Sequence, residues 1–297
     1  MKILITGGTG FIGSNFIKRY PNHQFIVLSR DINRARQILG NKHKYYSNLQ
    51  QISPDVSIDA IINLAGEPIA NKRWTASQKH KLETSRWHTT QELVTWIKTA
   101  NTKPKCFLSG SAIGIYGTSL DSIFIESEAA VGDDFSGHLC RKWEDIAMSA
   151  GNLTRVILLR TGIVLAPNGG ALKKMLLPFK LGLGGVIGSG QQWMSWIHIE
   201  DYLNALELLL LNESCHGPYN LTAPKPARNK TFVESIGNSL NRPVIFPMPA
   251  FAMKLALGEA SSLILEGQKV LPQKLLEKGY TFRFDNIFAA LNDLFKT

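Results

Sequence analysis

Short apolar runs alternate with longer amphipathic stretches through the first half of the chain. Five short apolar runs, most of them containing β-branched residues, predict strands, at 3–6, 25–28, 58–64, 106–109 and 156–160. Three amphipathic stretches between them predict helices, at 11–20, 75–100 and 139–150. Because the strand runs are continuously apolar, the strands are expected to be buried on both faces. This alternation predicts an α/β fold with a doubly wound parallel sheet covered by helices on both sides.

The pattern changes after about residue 165. Glycine and proline become frequent, and three further helices are predicted at 202–211, 232–240 and 287–294. We therefore expect residues 1–164 to form the main domain, with return segments at about 191–222, and residues 165–297 to form mainly a smaller C-terminal substrate lobe. Ligands of open α/β sheets bind at the carboxyl ends of the strands, where such a lobe would lie.

A glycine-rich loop joins the first predicted strand to the first predicted helix. Gly7 permits a tight turn, Gly10 lets the backbone approach a pyrophosphate, and Gly13 lets the helix pack against the strand. The N-terminus of the helix then offers free N–H groups to phosphates. This is the Rossmann arrangement, so residues 1–164 are predicted to bind a dinucleotide. The loop residues predicted to contact it are Gly7, Thr9, Gly10, Phe11, Ile12 and Gly13.

The end of the second predicted strand indicates which dinucleotide binds. NAD sites usually place an acidic residue here, whereas NADP sites carry a cation. The strand ends in Ser29 and Arg30, which could both bind a 2′-phosphate, so the sequence predicts NADP. NAD remains the alternative, because Asp31 would bind the ribose hydroxyls if the register moved by one residue. Arg30 could also be an ordinary surface arginine.

Arg86 lies on the apolar stripe of the long helix predicted at 75–100. That stripe is formed by Leu82, Thr89, Leu93 and Ile97. A charge on the face toward the sheet requires a partner. We expect either a cofactor phosphate or a carboxylate of the protein in that role.

Composition narrows the classes of partner. The net charge of +10 comes from scattered bases, without the basic and aromatic stripe of a nucleic-acid surface, so no nucleic acid is expected. No apolar run is long enough to span a membrane, and no membrane partner is expected. The apolar start at 3–6 is too short for a signal peptide, which predicts a cytoplasmic location. Three widely spaced cysteines indicate neither a disulfide framework nor a metal site.

Motifs along the whole chain resemble those of one known family. The Gly-x-x-Gly-x-x-Gly spacing resembles the extended short-chain dehydrogenase/reductase superfamily. Other motifs resemble its atypical epimerase-like family, catalogued as nucleoside-diphosphate-sugar epimerase homologues and sometimes labelled cell-division-inhibitor-like. These motifs are Asn63–Ile69, Lys72–Trp74, Ser85–Arg86, Gly110–Gly117, Trp143–Glu144, Gly182–Gly190, Gln191–His198 and Gln268–Pro272. The resemblance implies that the backbone of Leu64, Ala65 and Gly66 flanks the adenine ribose.

The resemblance implies a catalytic serine after the fifth strand and a Tyr-x-x-x-Lys on the next helix. Ser111 matches the serine. None of the seven tyrosines is followed four residues later by lysine, and Ser136 and Cys140 stand at the usual positions of the pair. His138 and Lys142 have the same spacing, but two residues out of register, which turns them about half-way round the helix. His138 is kept as a second candidate catalytic residue.

Residues around the predicted pocket are candidates for substrate binding. Trp193 and Trp196 could stack on a planar or sugar-like small molecule, or could be core aromatics of the lobe. Glu67 and Arg73 follow the carboxyl end of a strand and are further pocket candidates. His198, with Asp201, is expected to cap a helix rather than perform chemistry.

Two classes of function follow. One is an NADP-dependent oxidoreductase or epimerase-like enzyme, favoured by Ser111 and the pocket-like lobe. The other is a non-catalytic NADP-binding regulatory or partner-binding protein, favoured by the missing Tyr-x-x-x-Lys. The sequence does not identify the substrate.

Overall fold

The computed structural model describes residues 1–128, 132–167 and 169–296. The strands in these ranges are β1 (Lys2–Thr6), β2 (Gln24–Leu28), β3 (Lys44–Tyr46), β4 (Ala60–Asn63), β5 (Cys106–Ala112), β6 (Ile123–Phe124), β7 (Arg155–Thr161), β8 (Ile163–Leu165), β9 (Trp193–Met194), β10 (Trp196–His198), β11 (Gly217–Leu221), β12 (Ala227–Arg228) and β13 (Lys269–Val270).

The α-helices lie mostly between consecutive strands of the central sheet or in the C-terminal lobe. They are α1 (Phe11–Arg19), α2 (Ile32–Leu39), α3 (Ala76–Thr99), α4 (Phe135–Met148), α5 (Gly170–Lys180), α6 (Ile199–Leu211), α7 (Asn229–Leu240), α8 (Ala250–Leu257), α9 (Ser262–Leu265), α10 (Gln273–Glu277) and α11 (Ile287–Phe295). Short 3₁₀ turns lie at Leu49–Gln51, Ile113–Tyr116 and Gly258–Ser261. No helix of the described residues is long and apolar enough to cross a membrane.

Seven strands form the central sheet, in the order β11-β7-β5-β4-β1-β2-β3. All six neighbouring pairs are parallel. The chain runs from β1 outward to β3, then returns to the other side of β1 with β4 and continues outward to β11. The predicted Rossmann-type doubly wound sheet is confirmed. Its change of direction between β1 and β4 leaves a crevice at the carboxyl ends of the strands, where such folds bind ligands.

Two apolar cores cover the two faces of the sheet. Because successive side chains on a strand point to opposite faces, Ile3 and Ile5 of β1 pack with α1 and α6, whereas Leu4 packs with α3 and α4. All three side chains are fully buried. This explains why the strand sequences are continuously apolar.

The C-terminal part has a core of its own, to which α5, α7 and α11 contribute. It is fastened to the main sheet region by the parallel pair of β13 and β6. Ser195, between β9 and β10, holds β13 in place, because its Oγ donates to the Gln268 carbonyl at 2.8 Å and accepts from the Val270 N–H at 3.0 Å. β11 lies in the central sheet although it follows residue 165. The division of the chain at residue 164 stays a prediction.

Candidate functional site

The glycine turn after β1 depends on two glycines that no other residue could replace. Gly7 has a φ of +67°, and a Cβ there would lie 2.6 Å from the Leu64 carbonyl. A Cβ on Gly13 would lie 2.4 Å from the Gly7 carbonyl oxygen. The turn is closed by the Gly10 N–H, which donates to that same oxygen at 2.9 Å. β1, β4 and α1 can therefore meet this closely only with glycine at both positions.

The N-terminus of α1 has no side-chain cap. Gly10 occupies the N-cap position, so the first N–H groups of the helix, those of Phe11, Ile12 and Gly13, have no side-chain acceptor. By contrast, Asp31 caps α2 and Thr75 caps α3 through their side chains. The free N–H groups and the positive end of the helix dipole make this position suited to a phosphate.

Asn63 fixes the floor of the crevice. It is fully buried, accepts from the Thr6 hydroxyl at 2.7 Å, and donates to the Thr90 hydroxyl at 2.8 Å. The Thr6 hydroxyl in turn accepts from the Ala65 N–H at 3.2 Å. These bonds join β1, β4 and α3, and they hold the backbone of the predicted ribose-flanking segment Leu64–Gly66 in place. The sequence motif included Asn63 but gave no indication of this role.

The loop after β2 leaves one cation free. The Asp31 carboxylate accepts from the Arg34 N–H at 2.9 Å as the cap of α2, and the Ser29 hydroxyl donates to the Asp31 carbonyl at 3.0 Å. The exposed Arg30 side chain has no hydrogen bond or ion pair within the described residues. Asp31 therefore has a structural function already, whereas Arg30 is available to a ligand.

Arg86 binds backbone rather than a carboxylate. Its guanidinium donates to the carbonyls of Leu82 and Glu67, each at 3.0 Å, and lies 5.3 Å from the ring centre of Trp143. Burial lowers the pKa of Arg86 below its ordinary value. The expected carboxylate partner is not observed among the described residues. The buried stripe of α3 contains Thr90. Thr89, which was expected in the stripe, is not buried.

Ser111 is bound to a buried ion pair. Its hydroxyl donates to the Glu144 carboxylate at 2.6 Å. Arg160 binds the same carboxylate through two bonds, Nε to Oε1 at 2.9 Å and Nη2 to Oε2 at 2.8 Å. All three side chains are buried. The pair holds the pKa of Arg160 above its ordinary value. This pair was not predicted from the sequence, although the position of Arg160 near the end of an apolar strand was a signal of it.

Further buried hydrogen bonds lead away from this ion pair. Arg160 Nη1 donates to the Tyr116 hydroxyl at 2.8 Å, which donates to Asn220 Oδ1 at 2.8 Å. Burial raises the pKa of Tyr116. Because the hydrogen of the Ser111 hydroxyl is committed to Glu144, a ligand meeting Ser111 finds a hydrogen-bond acceptor.

The positions of the usual Tyr-x-x-x-Lys pair lie on the inward face of α4. Ser136 and Cys140 are both buried there. Burial raises the pKa of the Cys140 thiol to about 12, so the thiol is protonated and uncharged near neutral pH. Neither side chain supplies the acid or the positive charge of the usual pair.

The substitute pair lies on a different face of α4. His138 and Lys142 are exposed, and both pack against Trp87 of α3, with ring centres 5.9 Å apart for His138 and the Lys142 Nζ 4.1 Å from the ring centre. The structure therefore does not bring His138 together with Ser111.

The two tryptophans have different environments. Trp196 is fully buried in the core of the C-terminal part, so the expectation that it stacks on substrate is wrong. Trp193 is partly exposed, and its N–H donates to the Leu120 carbonyl at 2.9 Å. The Arg228 guanidinium lies 3.8 Å from the centre of the Trp193 ring and the Lys269 ammonium 5.0 Å from it. The ring therefore already packs against cations of the protein.

Glu67 and His198 bind groups that lie elsewhere than in the crevice. The Glu67 carboxylate lies 3.9 Å from the Lys72 ammonium. The backbone N–H of Glu67 donates to the Ser85 hydroxyl. His198 is confirmed as the N-cap of α6, where Nδ1 accepts from the Glu200 N–H at 3.2 Å. Asp201 instead accepts from the N–H groups of Arg283 and Phe284.

A cleft of about 470 Å³ opens beside Tyr116, which is part of the hydrogen-bonded chain from Ser111 to Asn220. Its described lining includes the hydroxyls of Thr118, Ser119 and Ser122, but no lysine or arginine. Carboxylates also line it, at Asp133, Asp134 and Glu266. Such a lining offers hydrogen bonds to a polar molecule and no positive charge to a phosphate.

Two family models match the chain. The model of the NAD dependent epimerase/dehydratase family matches residues 3–221. A domain of unknown function, DUF1731, matches residues 248–294.

Named relatives match over almost the whole length. An epimerase family protein of Staphylococcus aureus is 40% identical over 98% of both chains. The Arabidopsis thaliana epimerase family protein SDR39U1 homolog, chloroplastic, is 38% identical over 98% of this chain and 86% of its own. The crystal structure of human epimerase family protein SDR39U1 with NADPH has a TM-score of 0.91 and 36% identity, covering 99% of both chains.

Proposed function

Because the chain belongs to the NAD-dependent epimerase/dehydratase family, we propose that it is an NADP(H)-dependent oxidoreductase or epimerase-like enzyme. The observation that carries this proposal is the uncapped N-terminus of α1 behind the glycine turn, with the unpaired Arg30 at the neighbouring strand. The first suits a pyrophosphate and the second a 2′-phosphate. The similar human protein, solved with NADPH, supports the same cofactor.

The residues of this chain would bind the cofactor in three places. The N–H groups at Phe11–Gly13 would bind the pyrophosphate, and the Leu64–Gly66 backbone would flank the adenine ribose. Arg30 would bind the 2′-phosphate together with Ser29, whose hydroxyl would exchange its bond to the Asp31 carbonyl for one to the phosphate. Arg86 would act as a positioning residue, because it holds the Glu67 carbonyl. When bound, the cofactor supplies a hydride to, or accepts one from, a substrate carbon.

The residues proposed to bind the substrate differ from the usual set of the family. Ser111 would orient a substrate group that donates a hydrogen bond, since its own hydrogen is committed to Glu144. The hydroxyl-lined cleft beside Tyr116 supports a sugar-like small molecule without a phosphate. Glu67, Arg73 and Trp193 remain candidate substrate-binding residues, although none of them lines this cleft. A cytoplasmic location also stays a prediction.

A titration compares the two reduced cofactors. Wild-type protein is expected to bind NADPH more tightly than NADH, measured by cofactor fluorescence. Arg30→Ala should lose most of this preference, because a charge-assisted bond to the 2′-phosphate contributes roughly 1.5–3 kcal/mol. Lys18→Ala, an exposed cation at the other end of α1, is the matched control and should change nothing. Equal affinity for NADH and NADPH in the wild type would contradict the assignment.

A substrate panel tests catalysis. With NADPH, simple ketones and aldehydes should turn over slowly, because a positioned acid or base contributes roughly 10²–10⁴-fold and Ser136 with Cys140 supplies none. Quinones, activated alkenes and sugar-like substrates complete the panel. Fast reduction of a simple ketone, unaffected by Ser111→Ala, would contradict the residue assignment. Tight NADPH binding without turnover of any compound would favour the non-catalytic alternative.

A further inference from the structure

The crevice that is proposed to hold the cofactor lies between two walls. One wall is the loop between β4 and α3, residues 64–75. This loop touches the glycine turn, because a Cβ on Gly7 would lie 2.6 Å from the Leu64 carbonyl. The other wall begins with α1, which packs on the opposite face of the sheet from α3. A contact between the two walls therefore crosses above the turn.

Phe11 joins the start of α1 to the start of α5. A Cβ on Gly169 would lie 2.2 Å from the Phe11 ring, and a Cβ on Gly170 would lie 3.4 Å from it. The ring fits against α5 this closely because neither position carries a side chain. α5 therefore begins beside the free N–H groups of α1 that are proposed to bind the pyrophosphate.

Lys174 joins α5 to the loop of the opposite wall. Its ammonium donates to the Ala70 carbonyl at 3.2 Å and to the side-chain oxygen of Asn71. We call these three residues the clasp. The contacts form a closed ring, since the glycine turn touches α5, the clasp connects α5 to the loop, and the loop returns to the turn. Because the start of α1 is part of this ring, a group bound to its N–H groups lies at the opening that the ring surrounds.

The two ends of a bound dinucleotide would lie on opposite sides of this ring. The adenine end is assigned to Ser29 and Arg30 after β2, and the reactive end to the region of Ser111 on β5. In the sheet, β2 and β5 flank the pair of β1 and β4, around which the ring is built. A dinucleotide is wide at both ends and narrow at its pyrophosphate. A closed ring around the pyrophosphate would therefore retain the molecule.

We propose that Lys174 is a positioning residue that closes over the pyrophosphate of NADP(H), and that the clasp opens each time the cofactor enters or leaves. This inference rests on the proposed cofactor site. All three residues of the clasp are exposed. Exposed contacts of a charged side chain contribute little to stability, so the clasp opens without unfolding of the protein. It slows the exchange of the cofactor in both directions.

Stopped-flow fluorescence measures the exchange of NADPH. Lys174→Ala should raise the association and dissociation rate constants together, roughly two- to tenfold, because the hydrogen bonds that close the ring are lost. The dissociation constant should change much less, since both rate constants rise. Lys173→Ala is the matched control, because Lys173 is the neighbouring exposed lysine and has no hydrogen bond or ion pair within the described part of the chain. It should exchange NADPH as the wild type does.

A fragment of the cofactor separates a clasp from a general weakening of the site. Adenosine 2′,5′-bisphosphate has the adenine end and the 2′-phosphate but no nicotinamide end, so it leaves without passing the clasp. Its rate constants, measured by surface plasmon resonance, should be the same for the wild type, Lys174→Ala and Lys173→Ala.

Locking the clasp gives the converse test. Asn71→Cys with Lys174→Cys adds two exposed thiols, whereas the three native cysteines are buried and should not react. A short bis-maleimide linker that a reductant cleaves then joins the two positions. NADPH bound before cross-linking should stay bound, and NADPH added afterwards should bind only once the linker is cleaved. Each single variant, treated with the same linker, is the control and should exchange NADPH freely.

Three results would overturn the clasp alone, with NADPH binding retained. Lys174→Ala leaves both NADPH rate constants unchanged, or it speeds the exchange of the bisphosphate equally, or the locked protein exchanges NADPH freely. A wild type that binds no NADPH overturns the proposed function and the clasp together.

Discussion

Replacing Glu144 by glutamine tests the buried ion pair directly. The substitution keeps the size of the side chain but removes its charge. Arg160 offers only hydrogen-bond donors, so the new amide group would place its own N–H groups against some of them. Arg160, which is 6% exposed, would then have its guanidinium buried without a counter-charge.

The expected cost is large. Removing one partner of a buried ion pair costs about 3–5 kcal/mol, a substantial part of the roughly 5–15 kcal/mol that stabilises a typical domain. The surface pair of Lys225 and Asp285 gives a matched control, since both side chains are substantially exposed. Asp285→Asn should cost no more than about 1 kcal/mol, because solvent screens an exposed pair.

Urea unfolding at neutral pH measures both costs. NADPH affinity should change little in either variant that remains folded, because the predicted phosphate contacts lie at the N-terminus of α1 and in the loop after β2, away from β7. The double variant Glu144→Leu with Arg160→Met should recover much of the lost stability, since both charges of the pair are removed together. Equal costs for Glu144→Gln and Asp285→Asn would refute the reasoning that burial makes an unpaired Arg160 costly.

Three more outcomes are expected. Gly13→Ala should abolish measurable NADPH binding in a fluorescence titration, because its Cβ would lie 2.4 Å from the Gly7 oxygen; unchanged affinity would contradict this account. Burial lowers the pKa of His198, so the fold keeps this histidine neutral and should lose stability as pH falls below about 6.5. His198→Asn keeps a capping side chain without titrating, and should reduce that loss in unfolding experiments at several pH values. Arg86→Met should weaken NADPH binding and, by releasing the Glu67 carbonyl, increase hydrogen exchange at 66–69; exchange as slow as in the wild type would argue against the positioning role.

Sequence alone predicted the elements whose signals are local. The glycine turn and the start of α1 were placed correctly because each glycine requirement arises within a few residues of the chain. Helix α4 was predicted to begin at 139, but it begins at Phe135, because Asp134 caps it by accepting from the Gly137 N–H at 2.7 Å. The hydrophobic pattern did not indicate this first turn, because three of its four residues, Ser136, Gly137 and His138, are not apolar.

Side-chain direction in the C-terminal part was not predictable in the same way. Trp193 and Trp196 are three residues apart and equally aromatic, but they lie on different strands that pair with different partners. Those pairings, which leave Trp193 partly exposed and bury Trp196, depend on distant residues. For the same reason, the partner of Glu144 was fixed by the position of β7 and not by any spacing along the chain.

The departures from the family pattern have one electrostatic consequence. The resemblance implies a lysine on α4 that would place a positive charge close to the catalytic serine, whereas Cys140 is uncharged there. The buried charge nearest Ser111 is now the pair of Glu144 and Arg160, whose two charges compensate each other. Such a pair orients Ser111 but gives little stabilisation to an oxyanion developing on a substrate carbonyl. A reaction at this site is therefore favoured when little negative charge accumulates on oxygen, or when the substrate brings its own hydrogen-bond donor to Ser111.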